Sequence, residues 1–261
     1  MRRLAPLLLL LTLTACAATP VPAESTIGQG YPAEPEWPQV GPQSLAKWES
    51  FPVQANPRPL VLLGQTVNIE QGFADGDGKL AFSEGRIDPD GKVPPDATEA
   101  FAKLVKPGAG EPRIKVISVV KGTAKFPTDR GPRDLPAWIF ELTKTVGPVT
   151  VLDVKPNYQG SFATTTATLS PDGMTLTIPM GKPQEPCPGE PRVTHEAQWL
   201  ESPTAVAVGL KKITGEVAPG QRGNCAHDMA LRLTDYTIRL DKPLGNRVLI
   251  DANGNAISVS S

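Results

Sequence analysis

Proline and glycine punctuate this chain so densely that long regular elements are excluded. Its 261 residues include 29 prolines and 24 glycines. Each proline removes a backbone donor and fixes φ, and each glycine favours a turn. Such a chain folds into many short strands joined by turns. The apolar runs are correspondingly brief. Pro59–Leu63 and Thr66–Ile69 flank Gly64-Gln65 as a hairpin candidate, and Lys79–Ile87 reads as a third strand. Asp96-Ala97-Thr98-Glu99 has the form of a helix start. Ala97, Ala100, Phe101 and Leu104 follow at helical spacing until Lys106-Pro107-Gly108 stops them. This is the one helix expected. Arg113–Val120, Leu135–Leu142 and Val149–Val154 then read as strands.

Beyond Pro156-Asn157 the pattern is strand throughout. Phe162–Leu169 and Met174–Ile178 face each other across Ser170-Pro171-Asp172-Gly173, and Val193–Leu200 and Ala205–Ile213 across Ser202-Pro203. Leu231–Leu240 alternates. Val248–Ile250 and Ala256–Val259 close around Asn253-Gly254, a strong hairpin signal. The expected fold class is β-dominated α+β, with antiparallel, sandwich-like sheets, one short helix and an all-β second half. The expected modules are 48–156 (α+β) and 157–261 (all-β). Ahead of them, residues 16–47 carry Pro20, Pro22, Pro32, Pro35, Pro38 and Pro42 with little apolar periodicity, and read as a stiff linker.

Charge excludes one large class of partner. There are 26 Lys and Arg against 27 Asp and Glu, a net charge of −1. No basic block stands out, so nucleic acid is not an expected partner. Aromatic residues are only 5% of the chain, too few to supply an obvious stacking platform for bases or sugars.

The N-terminus carries the most specific signal. Met1-Arg2-Arg3 is followed by an apolar run from Leu4 to Leu13, then Thr14-Ala15-Cys16. A basic start, an apolar stretch and small residues form a secretory signal. The run is too short to span the roughly 30 Å hydrocarbon core. Leu13-Thr14-Ala15-Cys16 resembles the lipobox of bacterial lipoproteins. That resemblance implies a signal peptide over 1–15, acylation of Cys16 with a diacylglyceryl group, and Cys16 as the first mature residue. Two acyl chains suffice for stable membrane attachment. The implied location is the extracytoplasmic face of the cell membrane, or the outer membrane in a diderm host, since Ala17 is not the aspartate that retains lipoproteins at the inner membrane. Thr128–Trp138 and Asp241–Asp251 are similar to stretches of uncharacterised lipoproteins from high-GC Gram-positive bacteria; that similarity implies export and no particular activity.

With Cys16 allotted to lipid, Cys187 and Cys225 remain as an even pair in an oxidising compartment and are expected to form a disulfide. Closing a loop of about 39 residues is worth roughly 4 kcal/mol at most in the chain-entropy model. The competing reading adds His195 and His227 to make a zinc site, against unusual Cys-x-His spacing.

The remaining candidates are weaker. Asp75, Asp77 and Glu84 fall at positions 3, 5 and 12 of an EF-hand register, which points to Ca²⁺, but Phe73 stands at position 1 and cannot ligate. Asp88-Pro89-Asp90-Gly91 repeats the cue. The alternative is two solvated Asp-Gly turns. Arg130 and Arg133, within Asp129–Asp134, could bind an anion or a partner, because planar guanidinium forks suit carboxylates and phosphates. The alternative is an internally paired loop, with Arg247 a similar hairpin brace. Ser44-Leu45-Ala46-Lys47 matches Ser-x-x-Lys but lacks the partner motifs of that chemistry. His227-Asp228 with Ser161 would need a triad assembled at a distance. No catalytic residue is assigned. The expectation is a lipid-anchored, non-catalytic binding or interaction module of the cell envelope, with no cofactor and with an envelope protein or small ligand as partner. The alternatives are a small-ligand or Ca²⁺-binding lipoprotein, and an envelope hydrolase without a recognisable motif.

Overall fold

The computed structural model describes residues 37–111, 113–160, 165–220, 225–227 and 230–260. Within them the fold is strand-rich, as the punctuation requires. The helices are α1 (Trp37–Ala46), α2 (Gly76–Ser83) and α3 (Thr98–Ala102). The strands of the first half are β1 (Val61–Leu63), β2 (Val67–Ile69), β3 (Ile87–Asp88), β4 (Ile114–Phe126), β5 (Arg133–Leu142) and β6 (Val149–Leu152). After them come β7 (Tyr158–Gly160), β8 (Thr166–Leu169), β9 (Thr175–Gly181), β10 (Pro191–Glu201), β11 (Ala205–Val217), β12 (Leu233–Arg239), β13 (Val248–Ile250) and β14 (Ser258–Ser260).

Four sheets result among the described residues. The largest is ordered β2-β6-β5-β4-β3 and is antiparallel except where β3 runs parallel to β4. Strand β4 alternates buried and exposed positions at both ends, the period of a half-buried strand. Strand β6 is buried at every position, which places it between two packed layers. Ala81, Ala97, Ala100 and Leu104 of the helical side cover Ile114, Phe140 and Val151 of this sheet. The second half builds a four-stranded sheet ordered β12-β9-β8-β14 and a three-stranded one ordered β10-β11-β13. Leu176, Ile178, Val206, Ile238 and Leu249 form the core between them. Cys187 and Cys225 are joined by a disulfide, with Cα atoms 5.8 Å apart.

Local chemistry moved three elements from their expected places. The segment 79–87 is not a strand, because Asp75 N-caps α2: its Oδ1 accepts from the Gly78 N–H at 2.6 Å, and Asp77 adds negative charge in the first turn. The helix expected after Asp96 starts earlier, as a 3₁₀ turn over Pro95–Ala97, with no side-chain cap. Proline at the first position presets φ there. The segments around Gly64 do not pair as a hairpin. Gly64 takes φ +101° and sends the chain into separate sheets, β1 running parallel to β7 and β2 antiparallel to β6.

The end of the expected linker is also structured, since Trp37–Ala46 is helical despite Pro42 within it. Tertiary contacts override propensity here. Trp37 is buried against Gly209 of β11, where an added Cβ would lie 2.2 Å from the Trp37 ring. Ser44 Oγ donates to Ala252 O, Lys47 Nζ to Asn253 O at 2.6 Å, and Trp48 Nε1 to Gly254 O at 2.9 Å. The Ser-x-x-Lys pair thus clasps the turn at Asn253-Gly254. Trp37, Trp48, Phe51, Val61 and Leu63 share one buried cluster with Ala205, Ala207, Val248 and Ile250. Residues 35–261 form a single compact unit, and residues from both expected modules meet in that cluster.

Candidate functional site

Asp129 is the point from which the site is built. It lies in the turn between β4 and β5 and is 1% exposed. Its backbone joins two other segments: Asp129 N–H donates to Val61 O at 3.0 Å, and Val259 N–H donates to Asp129 O at 3.2 Å. A buried carboxylate needs compensating donors. Oδ1 accepts from the Val61 N–H at 3.0 Å and Oδ2 from Arg58 Nη2 at 2.5 Å. Arg130 Nε lies 3.8 Å from Oδ2. Arg58 is held in turn over the Phe51 ring, 4.7 Å from its centroid.

These arginines also fix the loop between β12 and β13. Arg58 Nε donates to Asn246 O at 2.6 Å. Arg130 Nη2 donates to Gly245 O at 2.7 Å and to Arg247 O at 2.9 Å. Arg247 reaches back inside the loop, its Nη2 donating to Lys242 O at 2.6 Å and Pro243 O at 3.0 Å. Its Nη1 pairs with Glu201 Oε2 at 2.6 Å, side chains 10% and 13% exposed. Asp241 N–H donates to Glu201 Oε1 at 2.6 Å. Burial opposes charge on Glu201, but Arg247 and the Asp241 N–H outweigh it and hold the carboxyl below its ordinary value. Burial, then the like charge of Arg58, lowers the Arg130 guanidinium, with Asp129 acting the other way.

The braced loop forms one wall of an open cleft of about 630 Å³. Val53 and Gln54 face it from the segment after α1, Ser202 and Pro203 from the β10–β11 turn, and Pro243, Leu244 and Asn246 from the loop itself. Asn246 Nδ2 donates to Val53 O at 2.9 Å. Glu201 and Arg247, both lining the cleft, are committed to each other and to backbone groups.

Arg130 therefore serves as a brace, while Arg133, at the start of β5, is exposed. The structure does not turn them toward a common ligand. Asp75 caps α2. Asp77 pairs with Lys144 Nζ at 2.9 Å, and Glu84 with Arg86 Nε at 2.7 Å. The Lys144 hydrogen bond and charge lower the Asp77 carboxyl, and the Asp77 hydrogen bond raises Lys144. A helix thus occupies the stretch that an EF-hand loop would need; Lys144 lies against both Asp77 and Asp75, at 2.9 and 4.0 Å, while Glu84 turns to Arg86. Asp88 Oδ1 accepts from the Asp90 N–H at 2.9 Å, an Asx turn. His195 Nδ1 faces Gly181 O at 3.0 Å, while His227 Nε2 lies 2.6 Å from Glu190 Oε2. Ser161, Asp228 and Cys16 lie outside the described residues.

Sequence reasoning missed Arg58, Glu201 and the cleft. Arg58 follows cis Asn56-Pro57, in a stretch with no charge pattern, and Glu201 ends a strand that shows no hint of a partner 46 residues away. Among the described residues no helix is long and apolar enough to cross a membrane. No protein-family model, curated protein or solved structure matches this chain.

Proposed function

We propose that the chain is a lipid-anchored extracytoplasmic protein whose folded part is a non-catalytic binding module of the cell envelope. The observation that carries this reading is the preorganised cleft. Its loop wall is fixed by Arg58, Arg130 and Arg247, and the carboxylate and guanidinium inside it are satisfied by each other. A wall that does not reorganise lowers the entropic cost of binding. A charge pair already satisfied is poorly placed to exchange protons with a substrate, so the site favours recognition over acid–base chemistry. The lipobox at Leu13–Cys16 supports the anchor, and the Cys187–Cys225 bridge agrees with an oxidising compartment.

In-cell crosslinking of the tagged protein, with mass spectrometry of what copurifies, tests the reading. One enriched envelope partner is expected, lost when Cys16→Ser releases the chain from membranes and reduced by Lys242→Glu or Gln54→Arg at the cleft rim. Membrane association that survives Cys16→Ser overturns the anchor. A partner retained in full by both rim variants overturns the cleft as the binding surface.

A further inference from the structure

Among the described residues one grouping brings donor atoms of three different metal-ligating side chains within 4.8 Å of one another: Cys187 Sγ, a Glu190 carboxylate oxygen and a His227 ring nitrogen. The disulfide adds Cys225, bonded directly to Cys187. We propose that reduction of this disulfide creates a binding site for a thiophilic divalent cation of the Zn²⁺ class, with Cys187, Cys225, Glu190 and His227 as its four ligands.

The backbone presents these groups from two short segments. Cys187-Pro188-Gly189-Glu190 is a tight turn: the Glu190 N–H donates to Cys187 O at 2.9 Å, and Gly189 has φ +82°. Proline followed by a positive-φ glycine is the arrangement of a type II turn. The turn is tied to the end of β11, with Gly189 N–H donating to Ala218 O at 2.9 Å and Ala218 N–H to Glu190 O at 2.8 Å. Those bonds do not pass through the disulfide, so the turn has its own support when the bridge opens. Cys187 and Glu190 sit at the two-residue spacing that ligand pairs commonly use. The second pair is Cys225 and His227, with Ala226 between them. The Cys187 N–H donates to Glu190 Oε2 at 3.2 Å, and that same oxygen lies 2.6 Å from His227 Nε2. Carboxylate and imidazole already point at one place, beside the buried sulfur of Cys187.

In the oxidised form the sulfurs are bonded to each other and offer no thiolate. A dithiol reductant changes this in a balanced step. The Cys187–Cys225 S–S bond breaks, the dithiol closes to its own disulfide, and two electrons and two protons pass to the protein sulfurs. Metal binding then displaces the two thiol protons to solvent. Zinc takes four ligands tetrahedrally, with bonds of about 2.3 Å to sulfur and about 2.0 Å to nitrogen or oxygen. Donors on such a tetrahedron lie about 3.3–3.8 Å apart, so the Cys187, Glu190 and His227 donors, gathered within 4.8 Å, start near that spacing, and the Cys225 sulfur moves away from Cys187 to its own corner once the bond between them opens. Two thiolates and a carboxylate outweigh the charge of the dication by one, and the neutral imidazole completes a mixed sulfur, nitrogen and oxygen set of donor types that zinc binds. The site is partly open: Cys187 is buried, Glu190 half-buried and His227 exposed, which gives reductant and metal a path in.

The test uses the full chain carrying Cys16→Ser, so that Cys187 and Cys225 are the only thiols. It is reduced with dithiothreitol, freed of reductant without oxygen, and titrated with Co²⁺. The reduced protein is expected to bind one Co²⁺ with a thiolate-to-metal charge-transfer band and tetrahedral d–d bands, bleached by Zn²⁺. The oxidised protein is expected to give none of these. His227→Ala and Glu190→Gln, with both thiols present, should each weaken binding by about a hundredfold, since even outer-shell losses cost 10- to 100-fold. The proposal is overturned if reduced protein binds no tighter than Cys187→Ser/Cys225→Ser, or if His227→Ala leaves affinity and spectrum unchanged. Far-UV circular dichroism guards against unfolding. If reduction unfolds the chain, recovery of the native spectrum on adding Zn²⁺ supports the site, and failure to recover overturns it.

Discussion

Asp129 and Asp77 each meet a cation within 3 Å, yet the side chain of Asp129 is 1% exposed and that of Asp77 58%. Both belong to charged clusters that stand out in the sequence. Around Asp129, strand β1, Arg58 and the segment at Val259 converge, and each contributes a hydrogen bond. Around Asp77 only α2 and the turn at Lys144 meet, on the surface. A buried pair is costly to break because the survivor is left without water. An exposed pair surrenders little, because water replaces the partner. Density of charge along a chain therefore says less about its role than the number of segments that converge on it.

The largest effect should come from breaking the buried hub. Asp129→Ala leaves Arg58 and Arg130 without their anion and removes a partner from the Val61 N–H. Loss of one member of a buried pair costs about 3–5 kcal/mol, read as the shift in urea midpoint at unchanged slope. A loss below about 1 kcal/mol would place the hub with the surface pairs. Glu201→Gln should cost about 2–3 kcal/mol at neutral pH by the same reasoning, discounted for partial exposure. Because the folded Glu201 carboxyl lies below its ordinary value, its contribution is present above the unfolded value and disappears as pH falls through the folded one. The variant should therefore show a shallower loss of stability on acidification, and parallel acid profiles would refute the linkage.

Between these and the surface come two steric and local tests. Gly209→Ala forces a methyl into the Trp37 ring and should cost about 1–3 kcal/mol through overpacking. Tryptophan fluorescence should report the displacement of α1. Asp75→Ala removes the α2 cap and should cost about 1 kcal/mol. The smallest effect belongs to Asp77→Ala, whose melting temperature should match the parent within error. Millimolar Ca²⁺ should shift both equally; a shift confined to the parent would return the acidic segment to the metal sites.

The strand content and several hairpins are legible in the order of residues alone. Thr168 pairs with Thr177 across Ser170–Gly173, and Ala197 pairs with Leu210 across Ser202-Pro203, at the turns the sequence marks. The errors cluster where one capping group or one distant contact decides. Asp75 turned a strand pattern into α2 by satisfying a single backbone donor. Trp37, Ser44 and Trp48 turned a proline-rich stretch into a helix by seating it on β11 and on a turn some 200 residues away. Arg130 stands out as a candidate in the sequence, but its role as a brace depends on carbonyls at Gly245 and Arg247, more than 100 residues distant.

The hairpin turns at Ser170–Gly173 and Ser202-Pro203, the single linkage of Cys187 to Cys225, and the strand-rich class were determined by the sequence, because proline, glycine, alternation and cysteine parity act locally or by count. Only the tertiary structure decided which strands are neighbours, which charges are buried and which donors share a space. Those outcomes depend on long-range packing, where the partner of a residue is chosen by what the rest of the core leaves room for. Glu190 shows the difference: no motif marks it, and it meets the disulfide and His227 because the end of β11 holds its turn beside Cys187.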